Sequence, residues 1–261
     1  MKIKIKQSKL VEILDYLSVD GLFSFSVITT AFDEKAKQHC LVSSQSGDYA
    51  YRYAKFFKDY FVELSEEKET IRIDIDKIRK FINYEKPDAV ITLKYPAPKD
   101  ETKLMLAVGK TKHKIAVTKF DDKDSSTSLP FAMKDNIPYM NKGQVPLDEN
   151  FVIKLESVKK MTGYAAAHRT EFFGFKIGDD KKLKVRIGDL HATDDCTEYE
   201  PDCKVINTNG SLDIILTYGV KEIAKTFQGD VKVSMHSGMA AWFSEATKDH
   251  RFGILISPKN K

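Results

Sequence analysis

The sequence predicts an α+β protein in which one β-rich unit is used twice. Three observations carry this: four short amphipathic helices set among many short alternating segments, one order of elements on both sides of a polar stretch, and apolar positions recurring at a fixed displacement. The first unit opens with a strand over 2–6, where Lys2, Lys4 and Lys6 alternate with Ile3 and Ile5. A helix follows, with Ser8 as its cap and Leu10, Ile13, Leu14 and Leu17 on one face. Residues 22–30, 39–44, 49–57, 60–64 and 71–75 are rich in β-branched and aromatic side chains and read as strands. Asp76 is the expected cap of a second short helix carrying Ile78, Phe81 and Ile82, and strands over 89–94, 103–108 and 114–119 close the unit.

Residues 121–150 turn to Asp, Lys, Ser, Pro and Asn and read as a linker between a domain over 1–120 and a second over 151–261. The same order then restarts: a strand at 151–155, a helix at 157–167, several strands, a strand at 212–216, a helix at 220–227 and closing strands. At a displacement of 142, Ile78, Phe81 and Ile82 fall on Val220, Ile223 and Ala224, Asp88 falls on Asp230, and Ile91 and Leu93 fall on Val233 and Met235. At 148, Leu10 and Ile13 fall on Val158 and Met161.

With 261 residues, 42% of them hydrophobic, the chain can bury one large core or two smaller ones. No apolar run is long enough to cross a bilayer and the N-terminus does not read as a signal peptide, so a cytoplasmic location is expected. Three cysteines make no disulfide framework. The formal charge of +4 is too small to argue for nucleic acid alone, so the placement of the cations matters. Lys9 lies on the first helix, Lys77, Arg79 and Lys80 on the second, Lys159 and Lys160 on the third with His168 and Arg169 at its end, and Lys221 and Lys225 on the fourth. Each helix also carries acids, such as Glu12, Asp15 and Glu222, and one such helix alone is an ordinary solvated face. Four of them gathered over one side of their sheets would meet phosphates without reading bases.

Catalytic chemistry finds little support. Gly109-Lys110-Thr111 ends like a phosphate-binding loop, but Leu104 stands where that motif needs glycine. His191, Cys196 and Cys203, with Asp194, Asp195, Glu198 and Asp202, match no zinc spacing and read as an acidic loop. His39 and Cys40 are strand neighbours that point to opposite faces, and Trp242 and Phe243 suit a core better than a stacking platform. No catalytic residue, metal or cofactor is expected.

The segment Ile71-Arg-Ile-Asp-Ile-Asp-Lys-Ile-Arg-Lys-Phe-Ile, then Pro87-Asp-Ala-Val-Ile-Thr-Leu, resembles the DNA sliding clamps of the proliferating-cell-nuclear-antigen type. So do Gly229-Asp-Val-Lys-Val-Ser-Met-His-Ser-Gly-Met-Ala-Ala-Trp-Phe and Asp249-His-Arg-Phe-Gly-Ile-Leu-Ile-Ser-Pro. The resemblance implies two similar domains, each with antiparallel sheets covered on one side by two short helices, and usually three subunits in a ring around duplex DNA. It implies a DNA polymerase processivity factor that is not an enzyme, with polymerase, clamp loader and other replication proteins as partners. Lys9, Lys77, Arg79, Lys80, Lys159, Lys160, Lys221 and Lys225 would line the hole. Subunits would join through edge strands at 112–119, with Lys114, Ile115 and Val117, and at 183–190, with Leu183, Val185 and Ile187. Partners would dock on Leu129, Phe131, Ile137 and Tyr139 of the linker and on Ile256 and Pro258 of the tail. The slightly basic composition, the long linker and the tail Lys259-Asn260-Lys261, without an acidic end, depart from cellular members and suggest a viral, plasmid-borne or divergent archaeal one. A clamp-fold structural or assembly protein that does not encircle DNA is the alternative.

Overall fold

In the computed structural model the described residues are 1–18, 25–33, 37–46, 50–65, 69–119, 132–134, 137–140, 144–189, 195–209, 212–217, 219–248 and 250–258. They form two compact units, one of Met1–Ser46, Arg52–Thr127 and Ala246–Arg251, the other of Gly47–Tyr51, Ser128–Glu245 and Phe252–Lys261.

The first unit begins with β1 (Lys2–Lys6) and α1 (Gln7–Leu17). Then come β2 (Phe25–Asp33), β3 (Lys37–Ser46), β4 (Ala50–Phe57), β5 (Glu63–Leu64) and β6 (Glu69–Asp74). It closes with α2 (Ile75–Ile82), β7 (Val90–Lys94), β8 (Lys103–Val108), β9 (Thr111–Ala116) and β10 (Thr118–Lys119). One sheet runs β5-β1-β7-β8-β9, and another carries the order β10-β6-β2-β3-β4. Alternation sets the register of the first: Ile3 lies opposite both Leu64 and Leu93, and Leu93 opposite Leu106, so one apolar row crosses four strands. All four are buried.

Within the segment expected as a linker, the described residues form a meander of β11 (Ala132–Lys134), β12 (Ile137–Met140) and β13 (Val145–Pro146), which belongs to the second unit. The second unit then runs β14 (Glu149–Ile153), α3 (Leu155–Ala167), β15 (Phe173–Ile177), β16 (Leu183–Gly188), β17 (Cys196–Tyr199), β18 (Cys203–Asn207) and β19 (Asp213–Leu216). It ends with α4 (Gly219–Thr226), β20 (Val231–His236), β21 (Ala240–Ala246) and β22 (His250–Ile256). Its strand orders are β18-β14-β20-β21-β22 and β17-β16-β15-β19. Element for element these repeat β5-β1-β7-β8-β9 and β4-β3-β2-β6, so the duplication holds at the level of topology.

Burial refines the register of the repeat. Leu10, Ile13 and Leu17 are buried on α1 as Val158, Met161 and Ala165 are on α3, all at the displacement of 148. On the second helices the buried triplets are Ile75, Ile78, Ile82 and Val220, Ile223, Phe227, a displacement of 145. The flanking strands sit at 140, since Ile5 pairs with Ile91 as Ile153 pairs with Val231. The single value of 142 is therefore a compromise between a helix and a strand separated by turns of different length.

The caps also differ from expectation. Asp74, not Asp76, caps α2, its carboxylate accepting from the Lys77 N–H at 3.2 Å. Ser8 lies inside α1, which starts from an extended Lys6 without a side-chain cap. The core of the second unit joins its two sheets through Phe175 and Phe243, whose rings meet edge-on at 6.4 Å. Both Trp242 and Phe243 are buried, and Gly253 lets the Trp242 ring lie flat on its backbone. A Cβ at Gly253 would fall 1.9 Å from that ring.

Candidate nucleic-acid interface

In each unit the two helices pack side by side, α1 with α2 and α3 with α4. Their apolar faces are buried, so the remaining faces display the charged side chains. Gln7 Nε2 donates to the Ile82 carbonyl at 3.2 Å, tying the start of α1 to the end of α2. Arg79 reaches Asp15 of α1 at 2.6 Å. In the second unit Lys221 of α4 lies 4.0 Å from Glu171, just beyond α3. A cation on the second helix thus meets a carboxylate near the end of the first in both units.

All eight cations expected at the interface are exposed or half-exposed. Most have an acidic neighbour: Lys9 pairs with Glu12 at 3.2 Å, Lys77 with Asp74 at 3.4 Å, Lys159 with Glu156 at 3.1 Å and Lys225 with Glu222 at 3.2 Å. Among the described residues Lys80 and Lys160 have no ion-pair partner. The first three pairs are exposed or half-exposed on both sides and contribute about 0–1 kcal/mol each, so a phosphate can displace their carboxylates at little cost, whereas Glu222 is buried and holds Lys225 more firmly. His168 caps the end of α3, with Nδ1 at 3.2 Å from Asp195 and Nε2 at 2.8 Å from Thr197 of β17, and is committed to holding that strand.

The strand edges fall partly elsewhere than expected. β9 ends its sheet among the described strands, with Lys114 exposed, Val117 half-exposed just beyond it and Ile115 buried. β16 does not end its sheet: β15 pairs on one side and β17 on the other, and Leu183, Val185 and Ile187 are buried. Among the described strands the edge is β17, whose four residues, Cys-Thr-Glu-Tyr, lack an apolar alternation; Cys196 and Glu198, expected in an acidic loop, lie in this strand, and Cys203 begins β18. The two edges differ in charge. Lys112 and Lys114 are exposed on β9, while Glu198 on β17 and Glu200 just after it are exposed, and Glu200 lies 2.9 Å from Lys182 and holds its amine above the usual lysine value.

Ile256 is fully buried as the last residue of β22 and is no surface ligand, a correction that follows from the inward packing of that strand. Tyr139 and Pro258 are half-exposed. Leu129 and Phe131 lie outside the described residues, as does the side chain of Ile137, whose backbone is in β12. His191 and Asp194 also lie outside them. Among the described residues no group of three His, Cys, Asp or Glu side chains is arranged to hold a metal ion. Burial, with Asp202 and Glu200 nearby, pushes the Cys203 thiol up, which disfavours the thiolate. Cys196 Sγ accepts from Arg186 Nε at 3.2 Å.

Comparison with solved structures decides the architecture. The chain matches the proliferating cell nuclear antigen of A. fulgidus, solved with the C-terminal region of FEN-1 bound, at a TM-score of 0.63 and 17% identity over 100% of this chain and 98% of that one. The fold is that of the sliding clamps. The proliferating cell nuclear antigens of Thermococcus kodakaraensis (TM-score 0.65, 12% identity, 99% of each chain) and Entamoeba histolytica (0.63, 12%, 99% of this chain and 98% of that one) share it. No protein-family model and no curated protein matches the sequence. At these identities the likeness is one of clamp fold, and side-chain roles rest on the geometry above.

Proposed function

We propose that this clamp-fold chain assembles, as a homotrimer, into a ring that encircles duplex DNA without sequence specificity and serves as a DNA polymerase processivity factor. The carrying observation is the pair of topologically identical units, each with two adjacent helices that bury their apolar faces and present cations. Lys9, Lys77, Arg79, Lys80, Lys159, Lys160, Lys221 and Lys225 line the hole and screen phosphates. Subunits join head to tail, β9 of one copy against β17 of the next, which closes two open sheet edges of opposite charge by main-chain pairing. Polymerase, clamp loader and other replication proteins dock outside on Tyr139, Pro258 and the segment with Leu129, Phe131 and Ile137. The ring is a docking platform and not an enzyme. We infer domains over 1–120 and 151–261 joined by residues 121–150, and a cytoplasmic or nucleoid site of action. No described helix is long and apolar enough to cross a membrane.

The carboxylates interleaved among the cations favour one second reading, a clamp-fold structural or assembly protein that leaves DNA alone. Light scattering over a dilution series, with and without nicked circular duplex at two salt concentrations, separates the two. A particle of about three subunits that stays on circles and leaves linear ends supports the ring. A monomer at every concentration that ignores DNA sinks it.

A further inference from the structure

The helical spacing of α2 continues past its end. Lys77, Lys80 and Tyr84 stand at i, i+3 and i+7, all exposed, and the intervening C-cap Asn83 keeps a right-handed helical conformation that carries the stripe into the turn. Tyr84 is 91% exposed, and among the described residues its side chain has no hydrogen bond or ring contact. Lys77 pairs with Asp74 at 3.4 Å, Lys80 has no ion-pair partner among the described residues, and Lys86 is exposed two residues after Tyr84; the other acids close in sequence are Asp76, Glu85 and Asp88. The ring of Phe81, stacked on His113 of β9 at 4.1 Å, anchors the end of the helix, so the stripe is held by a fixed element. The second unit has no equivalent. At the displacement of 145 that aligns the helices, Lys77, Lys80 and Tyr84 correspond to buried Glu222, Lys225 and Gly229.

We propose that Lys77, Lys80 and Tyr84 form a contact for single-stranded DNA, with the two amines on successive phosphates and the Tyr84 ring stacked on an unpaired base. The proposal deepens the reading of the helix face as a DNA surface. A stacked duplex offers amines its phosphates but offers a ring no base face, so a bare aromatic beside cations selects unpaired nucleotides. Its presence in one unit alone assigns it a local task distinct from the general screening by four helices.

Tyr84→Trp provides the test, because the chain holds one tryptophan, Trp242, and it is buried. Oligothymidylate should quench the new emission, with a response that fades as salt rises, while blunt duplex should leave it nearly unchanged. Tyr84→Ala should bind oligothymidylate at least about fivefold more weakly than the native chain and bind duplex as the native chain does. Unchanged emission with oligothymidylate, or equal binding of it by Tyr84→Ala, overturns the proposal. Retention on nicked circles, measured in parallel, judges the ring: a native chain that is retained while emission stays unchanged removes only the stacking contact, and quenching without retention removes only the ring.

Discussion

At the scale of single residues, the cations without partners should matter most for DNA. Lys9 or Lys159 exchanges one anion for another, whereas Lys80 and Lys160 begin unpaired among the described residues. Replacing both by glutamate should weaken duplex binding uniformly across sequences and lower the slope of log affinity against log salt by about 2 for each subunit in contact with the duplex, read from binding isotherms at several salt concentrations. Two residues test the packing. Gly253→Ala drives a methyl group into the Trp242 ring and should destabilise by about 1–3 kcal/mol in urea denaturation. Arg52, 1% exposed, donates to the carbonyls of Tyr16 and Ser18 at the end of α1. Arg52→Met leaves both without that donor and should cost at least about 2 kcal/mol. The Arg52 contact leaves no mark in the sequence, because burial of a lone arginine in an aromatic strand leaves no periodic trace.

Elements were more readable. β1, β8 and the apolar faces of α1 and α3 follow from alternation and helical spacing, since one buried face forces a period on the sequence. What failed were features that rest on a single hydrogen bond or on pairing partners. Asp74 and Asp76 are equally good caps on paper, and only the backbone chooses between them. β17 has no period because it borders solvent, so alternation alone places the edge one strand too early, at β16. If β9 meets β17, Lys112→Glu with Lys114→Glu should break the assembly into monomers, and adding Glu198→Lys with Glu200→Lys should restore it, as sedimentation would show. The short pairing of β5 with β1 carries a pH signature. Glu63 lies 2.5 Å from both Lys2 and Lys4, which hold its carboxyl below the usual 4.5, while the pairing raises Lys4. The contribution of Glu63 is therefore complete above the ordinary carboxylate value and is lost as pH falls through the depressed one; that of Lys4 is lost as alkali titrates its raised amine. The Val62 and Ser65 amides donate to the Lys4 and Lys2 carbonyls, each at 2.8 Å, and their protection against exchange, relative to the unfolded chain, should fall at both extremes, while Glu63→Gln should remove the acid limb.

For the whole molecule, duplication was the most legible property, because two copies of one topology print their order twice. Its exact register was not, since turns of unequal length shift helix and strand by different amounts. The proposed ring would add a concentration dependence that no single unit has: dilution would convert trimer to monomer with little change in secondary structure by circular dichroism, and higher salt would shift the midpoint to higher protein concentration, because Lys112 and Lys114 of one edge would face Glu198 and Glu200 of the other.

The carboxylates beside Lys9, Lys77, Arg79 and Lys159 would bear on motion along the double helix. Each step would trade an internal salt contact for a phosphate and back, two states of similar free energy, so the potential along the DNA axis stays shallow. Such a collar would have low friction and weak grip, and its residence time would be set by whether it opens and not by how tightly it adheres.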